Sequence, residues 1–169
     1  MNSADIFTDA FERIHEAVHA AVEGLPAEDL NARLDEDANS VAWLVWHLTR
    51  VQDDHIADAA GTEQVWSSED WASRFELPLA KDSTGYGHSS AQVGSVEVQS
   101  AELLLGYFDA VHEQTLAFVR GLDGRSLDRV VDDAWSPPVT LGVRLVSVVA
   151  DDLQHAGQAA FVRGALERR

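Results

Sequence analysis

Four segments of this chain, each about twenty residues long, place apolar residues at the three- and four-residue intervals of a helix face. The first runs from Asp5 to about Glu23, with Ile6 or Phe7, Ala10, Phe11, Ile14, Val18, Ala21 and Val22 in register. "GLPAEDLN" interrupts it, and Pro26 suits the first turn of a short helix. Asn39 or Ser40 is the expected cap of the second, "SVAWLVWHLTRVQDDHIADAAG", which Gly61 stops. "SSEDWASRF" reads as a short helix opened by Ser67 or Ser68, residues 76–94 as a long ordered loop, and about Glu97 to Arg120 as the third long helix. The connector after it holds a short helix or turn. Pro137 and Pro138 forbid a longer helix there, and Thr140 caps the last one, which runs to about Leu166. Extended structure is left with a few residues near the mid-chain loop. Each long helix must bury one face, so the expected fold is an all-α bundle with short extra helices, in one domain over residues 1–169.

Composition narrows the chemistry. The sequence has no cysteine, which removes disulfides, thiolate metal sites and a cysteine nucleophile, so any thiol must come from outside. A formal charge of −17 repels phosphate backbones and anionic lipid, and no basic stripe interrupts it, so neither nucleic acid nor membrane is an expected partner. No apolar run reaches the ~18 residues of a membrane span. The first residues are acidic and lack an apolar signal core, which makes the cytoplasm the expected location.

Two segments carry residue types suited to a site. In "NSVAWLVWHLTR", His47 lies on an apolar helix face beside Trp43, a candidate wall. In "DDLQHAGQAAFVRG", Asp151 is four residues and Asp152 three residues before His155. Both spacings bring a carboxylate and an imidazole to one side of a helix, and spacing alone does not choose between the two aspartates. Gln158, one turn after His155, can orient it. His55 is eight residues beyond His47, about 12 Å along the axis, too far to share an ion but able to line the same groove. Arg50 and Arg163 are candidates for an anionic group of a ligand or for plain surface roles. His15, His19, His88 and His112 are read as surface or packing residues. "GYG" in the loop lacks the strand and helix of a phosphate-binding turn, and no Gly-x-Ser-x-Gly elbow is present.

Together, "NSVAWLVWHLTRVQDDHIADAAG" and "QHAGQAAFVRG" resemble the DinB/YfiT-like superfamily, which includes mycothiol-dependent maleylpyruvate isomerases and related thiol S-transferases. The likeness spans nearly the whole chain. It implies an up-down-down-up four-helix bundle and one divalent metal, zinc or nickel in first place. The ligands it implies are a His of the second long helix and a pair on the last, which fall on His47, Asp151 and His155. Asp151 stands where the family has His or Glu. The implied activity is transfer of a low-molecular-weight thiol to, or thiol-assisted isomerisation of, a small electrophilic substrate, in a homodimer. A non-catalytic metal- or ligand-binding dimeric bundle and a metal-dependent hydrolase are the alternatives.

Overall fold

The computed structural model describes residues 2–169. The helix boundaries follow local capping chemistry. Helix α1 (Ser3–Val22) opens on a reciprocal pair, Asn2 accepting from the Asp5 backbone and Asp5 accepting from the Asn2 backbone. Pro26 sits just ahead of the short α2 (Ala27–Asn31), as its cap residue and not in its first turn. Ser40 caps α3 (Val41–Ala60) through the Trp43 amide, and Gly61, at φ +70°, ends it in the left-handed conformation.

The next stretch departs from expectation. Helices α4 (Val65–Ser68) and α5 (Trp71–Phe75) replace one helix, and Ser67 and Ser68 lie inside α4. The reason is tertiary. The Asp53 carboxylate of α3 accepts from the backbone amides of Val65 and Trp66, both at 2.8 Å, and so supplies the cap. Residues 90–94 of the expected loop fold as α6 (Ser90–Gly94), capped by the Ser89 and Gln92 pair. Ser100 caps α7 (Ala101–Val119). A turn at Ser126–Asp128 leads to the antiparallel strands β1 (Val130–Asp132) and β2 (Val139–Thr140), with Pro137 and Pro138 in their connection. Thr140 caps α8 (Leu141–Leu166).

The long helices form a square in which α3 and α1 each pack against both α7 and α8. Side-chain pairs give the directions. Arg163 near the end of α8 reaches the carbonyls of Ala20 and Glu23 at the end of α1, so these two run parallel. Early α3 meets late α8 and late α3 meets early α8, as in the His47–His155 and His55–Arg144 pairs. Gln114 of α7 reaches Thr62 just past α3, and Asp109 of α7 meets His19 of α1. The bundle is therefore up-down-down-up.

Its interior is filled by Phe11, Ile14, Leu44, Leu48, Leu104, Phe108 and Leu145, all essentially inaccessible. Burial of such a side chain contributes roughly 1.5–3 kcal/mol. Beside them runs a buried polar network. Arg50 donates to Gln64 Oε1 (2.8 Å), Tyr107 Oη (3.3 Å) and the Ser83 carbonyl (3.1 Å), and lies 3.6 Å from Asp53. Tyr107 donates to Asp53 at 2.8 Å. Through Ser83, with Trp66 donating to the Lys81 carbonyl at 2.9 Å, this network fastens the 76–89 segment to α3.

Candidate metal centre

His47 lies on α3, two turns in, and faces the middle of the antiparallel α8, where Asp151 and His155 stand one turn apart. One ligand atom from each of the three residues lies within 4.8 Å of the others. The two imidazoles meet edge to face at 4.9 Å, and His155 Nε2 is 3.6 Å from Asp151 Oδ1. The shorter aspartate thus still brings its carboxylate to the histidines.

Each imidazole is oriented by its other nitrogen. His47 Nδ1 donates to the Thr84 carbonyl at 2.5 Å, and His155 Nδ1 donates to Gln158 Oε1 at 2.9 Å. In a neutral ring such a bond leaves Nε2 as the lone-pair donor, the arrangement in which outer partners fix a metal-binding tautomer. Burial pushes the His47 imidazole below its ordinary range, countered in part by the Thr84 carbonyl, so the ring is neutral at pH 7. Trp43 stacks on His47 at 4.6 Å and turns its edge to His155. Asp151 Oδ2 is buried with no hydrogen-bond partner among the described residues. The other oxygen faces the pocket, since the side chain is 37% exposed, and a carboxylate with an open lone pair beside two imidazole nitrogens is a donor set that fits a divalent metal. Three N/O ligands match the open pattern of catalytic zinc, and the softness of the set suits nickel equally.

The backbone of the 76–89 segment belongs to this site. Gly85 has φ +92°, and a Cβ there would stand 2.6 Å from His47 Nδ1 and 3.1 Å from the Trp46 ring. Only glycine lets the chain come this close. His88 holds the segment from outside, accepting from Trp43 Nε1 at 3.2 Å and reaching Ser83 Oγ at 2.9 Å.

His47 and Asp151 open into a cavity of about 590 Å³ that continues along α3 and α8 to the β1–β2 connection. His55 lines it beyond the three ligand candidates. Arg144 donates to His55 Nδ1 at 2.6 Å and to Asp132 at 3.0 Å. Burial first, then the Arg144 charge, lowers the His55 imidazole, so it too is neutral. Tyr86 and Trp135, both exposed, stand at the rim.

Three sequence candidates lie elsewhere. Asp152 is turned about 100° from Asp151 around the helix and is wholly buried in the core, not the pocket. Burial, with the Asp151 charge adding to it, raises its carboxyl well above the usual range. Arg50 is neither a surface residue nor a ligand contact, because the Asp53–Tyr107 network consumes it. Arg163 caps the carbonyls at the end of α1 and pairs with Glu167. Thr84 and Gly85 carry no signal in the sequence beyond glycine at 85 and 87. Arg144, also absent from the sequence candidates, sits seven residues before Asp151 on the same stripe of α8. His15, His19 and His112 do not scatter over the surface but gather at Asp109, between α1 and α7.

Comparison with known proteins bears on the family and the fold. The sequence model of the DinB superfamily matches residues 10–159. A crystal structure of a conserved protein from Enterococcus faecalis is similar to it with a TM-score of 0.90 and 29% identity, over 96% of each chain. No curated protein gives a match.

Proposed function

The chain belongs to the DinB superfamily, and on that footing we propose that it is a divalent-metal enzyme that activates a low-molecular-weight thiol and transfers it to, or uses it to isomerise, a small electrophile. The observation that carries the reading is the unpaired, buried Asp151 oxygen beside two Nε2 lone pairs at the inner end of a ligand-sized cavity. His47, Asp151 and His155 would hold the metal, which supplies a Lewis acid able to lower the pKa of a bound thiol or water.

The other side chains bind and position. Thr84 and Gln158 hold the imidazoles so that neither has to reorient during reaction. Trp43 closes the inner wall, excluding water from one side of the pair. Along the cavity, Arg144 keeps the His55 Nδ1 lone pair occupied, so His55 presents Nε2–H to a substrate as a hydrogen-bond donor. Arg144 is itself balanced by Asp132, which leaves the pocket without a free positive charge to favour a strongly anionic substrate. The thiol must be a cosubstrate, since the chain has no cysteine.

Self-association is part of the same proposal. Between Val143 and Phe161 the exposed face of α8 carries no charged side chain, in a chain of net charge −17. Val143, Val146, Ala150, Leu153 and Gly157 repeat there at alternating three- and four-residue steps. An uncharged strip is where two acidic copies can approach without repulsion, so the occupant is a second copy of this chain.

The test is turnover. Metal-loaded protein is incubated with a panel of small electrophiles, with and without mycothiol, bacillithiol or glutathione. Thiol-dependent turnover lost in His155→Ala is expected. Thiol-independent hydrolysis, or no turnover with any thiol by a metal-loaded protein, would overturn the transferase reading.

A further inference from the structure

A second constellation lies on the opposite side of the square, between α1 and α7. His15 and His19 are one turn apart on α1, and both turn Nε2 to the same oxygen of Asp109, at 3.0 and 2.7 Å. One ligand atom from each of the three residues lies within 4.8 Å of the others. Two imidazoles and a carboxylate shared across an antiparallel helix pair repeat the donor set of the first site, with the one-turn pair now supplied by two histidines.

We propose that His15, His19 and Asp109 form a second divalent-cation site, taking a zinc-type ion that ties α1 to α7. Its surroundings support it. His19 Nδ1 donates to Glu23 Oε1 at 2.8 Å, a carboxylate behind the imidazole that aims Nε2 at the site. His112 stands three residues after Asp109 on α7, its ring 4.4 Å from that of His15 and its Nδ1 buried without a hydrogen-bond partner among the described residues. It borders the cluster, outside the three residues whose ligand atoms converge. Glu12 and Glu23 lie beside the cluster, with Arg120, 3.7 Å from Glu12, as the counter-charge, so the local field favours a cation. The three ligand candidates are each partly exposed, which gives an ion a path from solvent. Binding puts the ion where imidazole protons now meet Asp109, so those protons leave to solvent as it enters.

This site does not rest on the proposal for the first, and the experiment separates them. Untagged protein, His155→Ala, His155→Ala/His19→Gln and His155→Ala/Asp109→Asn are dialysed against Zn²⁺ and then metal-free buffer, and zinc per chain is measured. The expected values are about two, one, none and none, with proton release on zinc titration of His155→Ala and a rise of several degrees in its melting temperature. Loss of all zinc from a folded His155→Ala protein would overturn the second site, as would zinc that survives both double variants. A native protein holding one ion that His19→Gln alone removes would sustain the second site and refute the first. If His155→Ala does not fold, ¹¹³Cd NMR of the native protein counts the sites. Two nitrogen/oxygen-ligand resonances, one lost in His19→Gln, are expected, and a spectrum unchanged by His19→Gln overturns the proposal.

Discussion

His47 gives its Nδ1 proton to the carbonyl of Thr84, a residue 37 positions further along the chain, at 2.5 Å. The bond exists because Gly85, the next residue, has no side chain to hold the backbone away. One imidazole of the candidate centre is therefore oriented by a loop backbone.

Gly85→Ala tests this coupling. The new Cβ meets His47 Nδ1 at 2.6 Å in a backbone conformation that L residues rarely adopt, so the loop or the imidazole must shift. The expected result is a 10–100-fold loss of metal affinity in a folded protein, the scale typical of lost outer-shell support. Gly87→Ala is the control: φ is +70° but nothing lies within 4 Å, so it costs backbone strain of about 1 kcal/mol and leaves metal affinity unchanged. Equal affinities in the two variants, by isothermal titration, would remove the role assigned to Thr84.

Asp152 gives a pH signature. Its folded-state carboxyl titrates above the unfolded value because it is buried, so the native state holds a proton that the unfolded state releases. Its contribution is most favourable below the ordinary carboxylate range and is lost as pH rises, at up to ~1.4 kcal/mol per unit while the native group stays protonated. Asp152→Asn removes that slope. Urea unfolding from pH 4 upward is expected to show the variant gaining stability on the parent as pH rises. Parallel curves would mean the group titrates normally.

The Arg50–Asp53–Tyr107 network makes a stability prediction with no direct metal readout. Both members of the ion pair are 1% exposed, so Arg50→Met leaves the Asp53 charge buried without its counter-ion, at a cost of about 3–5 kcal/mol. Tyr107→Phe removes one neutral donor and costs about 1–2 kcal/mol. Chemical denaturation in metal-free buffer reads both. An Arg50 variant as stable as the parent would mean that the Asp53 charge does not need this counter-ion.

Leu153→Glu and Phe161→Glu place charges on the bare face of α8, where both side chains are exposed. The parent is expected to sediment as a dimer and each variant as a monomer, with unchanged helicity. A monomeric parent at tens of micromolar ends the proposal of self-association.

The helical frame was legible because local chemistry set it. Ser40 and Thr140 cap the helices whose apolar periods they precede, whereas α7 starts at Ala101 behind Ser100, four residues after the expected Glu97. The misplaced start of α4 shows the limit, since its cap comes from Asp53 on another helix. The set His47, Asp151 and His155 was implied by the family resemblance, and the fold brings one ligand atom of each within 4.8 Å of the others. Spacing alone did not separate Asp151 from Asp152, and their burial does: one meets the histidines, the other the core. Thr84 and Arg144 were illegible because the partners that give them meaning come from distant segments. The pairing of His15 with His19 was open to a one-turn argument, but Asp109, 90 residues beyond His19, makes it a cluster.

Everything proposed for the pocket depends on an ion among His47, Asp151 and His155. Anomalous diffraction from a crystal soaked in zinc, recorded on both sides of the zinc edge, tests it at the atoms concerned. A peak about 2 Å from both Nε2 atoms and from one oxygen of Asp151 is expected. No peak between His47 and His155 at saturating zinc, or a peak bound by Asp152 instead, would contradict it.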